Sequence, residues 1–233
     1  MSNIRKVICA LDTGSVPEAL ETIKRVSPYV QTFKVGHALT LQHGLDVLPQ
    51  LQDAGAQRIF LDLKFHDIPS VVALAVSEAA KHGVWMLTVH ISGGPAMVTA
   101  ATEAAKSYGT EEAPFIVGVS VLTSIDQEML RNFIGIDRGL TDYMVALSKY
   151  GVDCGLDGVV CSPNEVEPIR GWLGPSGIIV TPGVRKPSST EDDQVRTGTA
   201  QQSLEDGADY LVMGRALATA EDPLELLHAY GIE

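Results

Sequence analysis

Eight short apolar runs, at 6–11, 30–35, 58–63, 85–91, 115–121, 158–161, 177–180 and 210–213, recur along the chain at fairly even spacing. Each is rich in β-branched residues and is followed by a longer segment with helical periodicity and many Ala, Glu or Leu residues. The runs lack polar alternation. A strand that is apolar on both sides must be covered on both sides, which is the situation of a parallel sheet flanked by helices. Eight βα units in 233 residues predict an α/β fold of the (β/α)8 TIM-barrel type, with 1–233 forming one domain, since such barrels take ~250 residues. A doubly wound open sheet is the alternative arrangement of the same units.

Local punctuation fits this parse. Ser15-Val16-Pro17-Glu18 and Ser162-Pro163-Asn164-Glu165 read as capping boxes, each with a proline near the first helical position, and Gly83 and Gly207 read as helix stops. The one long irregular segment is 182–199, polar and rich in Ser, Thr, Asp and Arg. A loop of that length at the C-terminal end of a strand is expected to serve function.

Charge narrows the partners. A formal net charge of −12 repels polyanions on average, so neither nucleic acid nor an anionic membrane is expected as a partner, and an anionic substrate has to meet a locally basic pocket. Cys9, Cys154 and Cys161 form no CxxC pair and lie in or beside apolar runs, which predicts buried thiols in a reducing compartment. No stretch approaches the ~18 apolar residues of a membrane span, and the expected location is cytoplasmic.

Barrel enzymes assemble their sites from residues at the C-terminal ends of strands. Here those positions carry Asp12, Lys34, the 62–67 segment, His90, Thr123, the 182–185 turn and Arg215. Asp62 and Lys64 stand two apart and therefore project to one face of a strand, into the barrel mouth. Burying both is costly unless they pair, and Lys34 and Asp67 would complete an array with two charges of each sign. A structural ion-pair network or a solvated turn is the plainer explanation. A second constellation, Thr181-Pro-Gly-Val-Arg185 with Met213-Gly-Arg215, places glycine and arginine after the seventh and eighth strands, where barrels commonly hold a substrate phosphate. Ordinary turn residues with a surface arginine are the competing reading. His37, His43, His66, His82 and His90 show no metal-ligand spacing, so no metal site is expected. His90-Ile-Ser-Gly-Gly94 suits a backbone-shaping glycine pair as well as it suits a ligand contact. No GxSxG, P-loop or GxGxxG is present, which removes the usual hydrolase, kinase and dinucleotide routes.

Taken together, Ala10-Leu-Asp12, Phe33-Lys-Val-Gly36, Asp62-Leu-Lys-Phe-His-Asp-Ile-Pro69, Val89-His-Ile-Ser-Gly-Gly94, Leu122-Thr-Ser124, Thr181-Pro-Gly-Val-Arg185, Asp193-Gln194 and Gly214-Arg215 resemble the bacterial orotidine 5′-monophosphate decarboxylases along essentially the whole chain. The resemblance implies decarboxylation of that nucleotide to uridine 5′-monophosphate, the last step of de novo UMP biosynthesis, with no cofactor. It implies Asp12 and Lys34 on the ribose side, and a catalytic tetrad of Lys34, Asp62, Lys64 and Asp67 in which Lys64 delivers a proton to C6 and Asp62 crowds the departing carboxylate. Ile68 adjoins that tetrad. Thr123 and Ser124 resemble the pyrimidine-recognition segment, and Pro182, Gly183, Arg185, Gln194, Gly214 and Arg215 the phosphate grip. The resemblance further implies a homodimer with shared sites, Asp67 serving the neighbouring subunit. Mg²⁺-dependent sugar-phosphate lyases of the same superfamily share a DxKxxD but carry an acidic metal ligand where this chain has Lys34. A noncatalytic nucleotide-binding barrel is the remaining alternative.

Overall fold

The computed structural model describes residues 3–109, 113–185 and 198–233. Eight strands, Val7–Leu11, Thr32–Val35, Arg58–Phe65, Met86–His90, Phe115–Val119, Gly158–Val160, Ile178–Pro182 and Tyr210–Met213, lie parallel in chain order. The last pairs back onto the first through Val7↔Leu211, Ile8↔Val212 and Cys9↔Met213, which closes the sheet into a barrel. The open-sheet alternative is thereby excluded.

Closure explains why the runs are apolar throughout. Residues facing outward, such as Cys9, Leu11, Phe33, Val35, Ile59, Leu61, Leu87 and Val89, pack against the inner faces of the surrounding helices, including Ile23, Val26, Leu39, Leu51, Val72, Val76, Met97 and Ile169. Their inward-facing neighbours Ile8, Ala10, Phe60, Met86, Val117, Val180 and Val212 fill the barrel. Both environments exclude water, so both parities are selected for apolar groups. Truncating Phe60, 2% exposed in that interior, to Ala is expected to cost about 3–5 kcal/mol.

The helix stops are where the sequence places them: Gly83 (φ 67°) and Gly207 (φ 107°) adopt the left-handed conformation that glycine tolerates best. The capping boxes form only in part. Ser15 caps Val16–Val26 by accepting from the Glu18 N–H at 3.4 Å, while the Glu18 carboxylate accepts from the Thr13 hydroxyl at 2.7 Å. Ser162 makes no cap bond, because the following turn, Pro163–Glu165, is a tight 3₁₀ helix in which the Ser162 hydroxyl donates to the buried Glu165 carboxylate instead.

Two aspartates that precede strands tie the N-terminal end of the barrel together. Asp157 accepts the Ile116 N–H at 2.8 Å, and Asp209 accepts the Ile179 N–H at 2.8 Å. Arg170 adds a clamp, donating to the carbonyls of Gly207 at 2.8 Å and Gly177 at 2.9 Å and to the Asp209 carboxylate at 2.5 Å.

The 182–199 segment is less irregular at its ends than its composition predicts. Val184–Arg185 and Gly198–Thr199 pair as a small parallel ladder, and residues 186–197 lie outside the described structure. That ladder rests on the turn after the sixth strand, since a Cβ added at Gly198 would lie 2.6 Å from the Pro163 Cβ. Cys9 and Cys161 are buried and Cys154 is half-buried, none of them in a disulfide. Among the described residues no helix is long and apolar enough to cross a membrane.

Candidate active site

The third strand carries the centre of the site. Phe60 belongs to the barrel interior, and the same inward parity brings Asp62 and Lys64 to the mouth above it. There Lys64 Nζ donates to Asp62 Oδ1 at 2.8 Å. Lys34, from the end of the second strand, reaches Asp62 Oδ2 at 3.4 Å and Asp12 Oδ1 at 3.0 Å. Asp62 is thus held between two ammonium groups.

Asp62 and Lys34 keep their charge because of their neighbours. Burial alone would push the Asp62 carboxyl up, but Lys34, Lys64 and hydrogen bonds from Lys64 and Thr88 hold it below the ordinary carboxylate value. Burial likewise works against the Lys34 ammonium, and the carboxylates of Asp62 and Asp12 outweigh it, leaving Lys34 above its ordinary value. At neutral pH these two side chains are a carboxylate and an ammonium in a partly desolvated pocket.

The backbone here departs from a regular strand. Lys64 has φ 49°, the one positive value among the described non-glycine residues, and the ladder to the fourth strand shifts register between Leu61 and Phe65. A left-handed lysine costs roughly 1–2 kcal/mol, so something must hold it. The Lys64 N–H donates to Thr88 Oγ1 at 2.8 Å, and the same hydroxyl donates to Asp62 Oδ1 at 3.0 Å. Two residues further along the fourth strand, the His90 ring lies 5.2 Å from that of His66. Burial, then unfavourable electrostatics with His66 and Lys64, lower the His90 pKa. In the glycine pair that follows, a Cβ at Gly93 would lie 2.6 Å from Met97 Cε and 3.2 Å from His66 Cδ2, and Gly94 has φ 88°.

The array opens into a cavity of about 1430 Å³, room enough for a nucleotide, whose floor is apolar (Phe60, Val160, Val180, Val212). Thr123 stands in one wall, and Pro182, Gly183, Arg185, Gly214 and Arg215 in the wall across from Lys64. Two guanidinium groups therefore share a cavity with the charged array, giving an overall acidic chain a local site for an anion.

Of the residues singled out from sequence, Asp12, Lys34, Asp62, Lys64, Thr123, Pro182, Arg185, Gly214 and Arg215 line this one cavity. Ser124 is exposed outside its wall. Asp67 and Ile68 also lie at the surface, with Asp67 Oδ1 accepting the Ile68 N–H at 2.7 Å, so Asp67 does not complete the array within its own chain. The physical reason is the chain's path: after Phe65 it leaves the strand and turns into helix Pro69–Lys81, carrying Asp67 out of the mouth. Gln194 falls outside the described residues. Sequence reasoning missed Thr88, although a polar residue sharing inward parity with His90 in an otherwise apolar strand was a usable sign. Among the described residues no group of three or more His, Cys, Asp or Glu side chains is arranged to hold a metal ion.

Residues 5–230 match the model of the Orotidine 5'-phosphate decarboxylase / HUMPS family. The chain is 43% identical over 227 residues to the orotidine 5'-phosphate decarboxylase of Dichelobacter nodosus, with 97% of each chain covered. It is 41% identical over 231 residues to that of Moorella thermoacetica, covering 98% of this chain and 91% of the relative. The crystal structure of orotidine 5'-phosphate decarboxylase from Lactobacillus acidophilus superposes with a TM-score of 0.83 at 31% identity, over 97% of both chains.

Proposed function

This chain belongs to the Orotidine 5'-phosphate decarboxylase / HUMPS family, and on that premise we propose that it converts orotidine 5′-monophosphate to uridine 5′-monophosphate and CO2, without metal or organic cofactor, in the last step of de novo UMP synthesis. The observation that carries this reading is Asp62, clasped by Lys64 at 2.8 Å and Lys34 at 3.4 Å, in a cavity whose far wall holds Arg185 and Arg215. One end fits a reacting carboxylate and the other a phosphate.

The chemistry follows from charge. When the bond between C6 and the carboxylate breaks, its electron pair stays on C6 in an orbital that no π-system delocalises, so stabilisation must come from fixed charge nearby. The Lys64 ammonium supplies that charge and then its proton, which forms the C6–H bond; solvent reprotonates the amine. Asp62 sets a second negative charge beside the substrate carboxylate, an unfavourable contact relieved as CO2 departs. Asp12 and Lys34 hold the ribose, Thr123, with the exposed Ser124 next to it, the pyrimidine, and Arg215 and Arg185, with Pro182, Gly214 and Gln194, the phosphate. Binding energy from the unreactive phosphate orients the ring over Lys64.

The working unit is a homodimer. Asp67 lies at the surface, outside its own array, and beside it Ile68 at the N-cap of helix Pro69–Lys81 and Val71 and Leu74 on that helix, 62%, 44% and 63% exposed, form an apolar stripe suited to a second copy. Such a pairing brings the partner subunit's Asp67 to Lys64 and completes the tetrad. Cysteines outside any disulfide, Cys9, Cys154 and Cys161, suit the cytoplasm. Lys34 distinguishes this reading from a Mg²⁺-dependent sugar-phosphate lyase, because an ammonium at that position repels a divalent cation.

The test is to mix purified protein with orotidine 5′-monophosphate in excess chelator and follow the pyrimidine's ultraviolet absorbance. Chelator-resistant loss of substrate with UMP as product is expected. Binding without turnover, or turnover that the chelator stops, overturns the proposal.

A further inference from the structure

We infer that Thr88 is a positioning residue for the reaction, its single hydroxyl fixing both the backbone of Lys64 and the carboxylate of Asp62. The inference rests on the decarboxylase reading above. Thr88 sits in the middle of the fourth strand, 1% exposed, with its side chain turned to the barrel interior at the level of the charged array. Its oxygen accepts the Lys64 N–H at 2.8 Å and its proton goes to Asp62 Oδ1 at 3.0 Å. A hydroxyl is the smallest group able to do both at once, since it combines one donor with two acceptor lone pairs.

The register shift between Leu61 and Phe65 explains why such a group is needed. Where the third strand bulges, the Lys64 N–H leaves the ladder to the fourth strand, and a buried N–H without an acceptor is unfavourable. Thr88 provides the acceptor from its side chain. It thereby holds Lys64 at φ 49°, a conformation that turns the chain so that Nζ lies against Asp62 while Phe65 rejoins the sheet opposite Val89. Its second bond adds to the Lys64 and Lys34 contacts that fix the orientation of the Asp62 carboxylate. Without the hydroxyl, Lys64 relaxes toward ordinary strand geometry and Asp62 loses one of its donors. The ammonium and the carboxylate then stop sharing one fixed position. The phosphate-side residues, across the cavity, are untouched.

The prediction is a split between kcat and KM that a purely structural residue would not produce. Thr88→Ala and Thr88→Ser both lose the γ-methyl and differ only in the hydroxyl, so their comparison removes the packing contribution. Thr88→Ser should keep kcat within about threefold of wild type. Thr88→Ala should lose about 10- to 100-fold in kcat, the scale expected when a reacting group is misplaced by about an ångström, while KM and the affinity for UMP change less than about threefold. Assays are run well below the thermal midpoint of each variant. Equal kcat for the Ser and Ala variants overturns the inference while leaving the decarboxylase reading intact. If Thr88→Ala does not fold, Thr88→Asn serves instead: its amide offers a donor and an acceptor and should retain more than a tenth of wild-type kcat, and a value at the Lys64→Ala level overturns the inference. Wild-type protein inert toward orotidine 5′-monophosphate refutes the parent reading itself.

Discussion

The two ends of the barrel both hold charged side chains in partly buried positions, and they use them differently. At the N-terminal end, Arg170 and Asp209 meet at 2.5 Å, and most of their remaining capacity goes to the backbone: Arg170 to the carbonyls of Gly207 and Gly177, Asp209 to the N–H of Ile179. At the C-terminal end, Asp12, Lys34, Asp62 and Lys64, from the ends of the first three strands, are bound chiefly to one another around an open cavity, and the third strand's backbone is distorted at Lys64. Charges saturated by backbone groups fasten elements together. Charges that satisfy chiefly one another, facing a space large enough for a ligand, are available to it. The contrast separates scaffold from site without reference to any relative.

The sharpest way to break that distinction is to remove Lys64. Lys64→Ala is expected to lower kcat by on the order of 10³-fold, the middle of the range for loss of a proton donor, with the fold retained by circular dichroism. Arg215→Ala comes next. It should reduce kcat/KM for the nucleotide by about 10- to 100-fold, the value of a charge-assisted hydrogen bond to phosphate, and leave turnover of phosphate-free orotidine unchanged; equal losses on both substrates would remove Arg215 from the phosphate grip. At the opposite end the sign of the effect should reverse. Arg170→Ala is expected to destabilise by about 2–3 kcal/mol, seen as a fall of about 4–12 °C in thermal midpoint for a chain of this size, with kcat unchanged at 25 °C.

The smallest effect is the response of stability to pH. The folded Asp62 carboxyl lies below its unfolded value, so its contribution to stability is present above the ordinary aspartate range and is lost as pH falls through the depressed value. Lys34 lies above its unfolded value, so its contribution is present below the ordinary lysine range and is lost as pH rises through the elevated one. The array therefore supports the fold across the neutral range. Thermal midpoints of wild type and Asp62→Asn should converge in acid, where both carry an uncharged side chain, and separate near neutrality. A gap that is constant with pH would contradict the charge assignment.

Much of this contrast was legible in the sequence, and the gaps have physical causes. The eight runs predicted the barrel because closure demands apolar residues at both parities, and Asp62 and Lys64 were placed on one face by the period of two. The bulge at Lys64 was not visible, since nothing in Asp-Leu-Lys-Phe signals a left-handed lysine; the compensation comes from Thr88, 24 positions away. Asp67 was readable from its own neighbourhood as a charge, and only the resemblance set it apart from its own chain's array, because its direction depends on where the strand ends. Ser162-Pro163-Asn164-Glu165 has the spacing of a capping box, yet a 3₁₀ turn redirects its hydroxyl to the Glu165 carboxylate. Asp157 and Asp209 carry no mark in the sequence that separates them from the functional aspartates. Only their position before a strand, and not after one, does so.

The most direct test sets Lys64→Ala beside Arg170→Ala and measures kcat on orotidine 5′-monophosphate and thermal midpoint for both. The account predicts opposite outcomes: Lys64→Ala loses activity with little change in stability, and Arg170→Ala loses stability with little change in activity. Parallel losses in both variants, or full activity in Lys64→Ala, would contradict it.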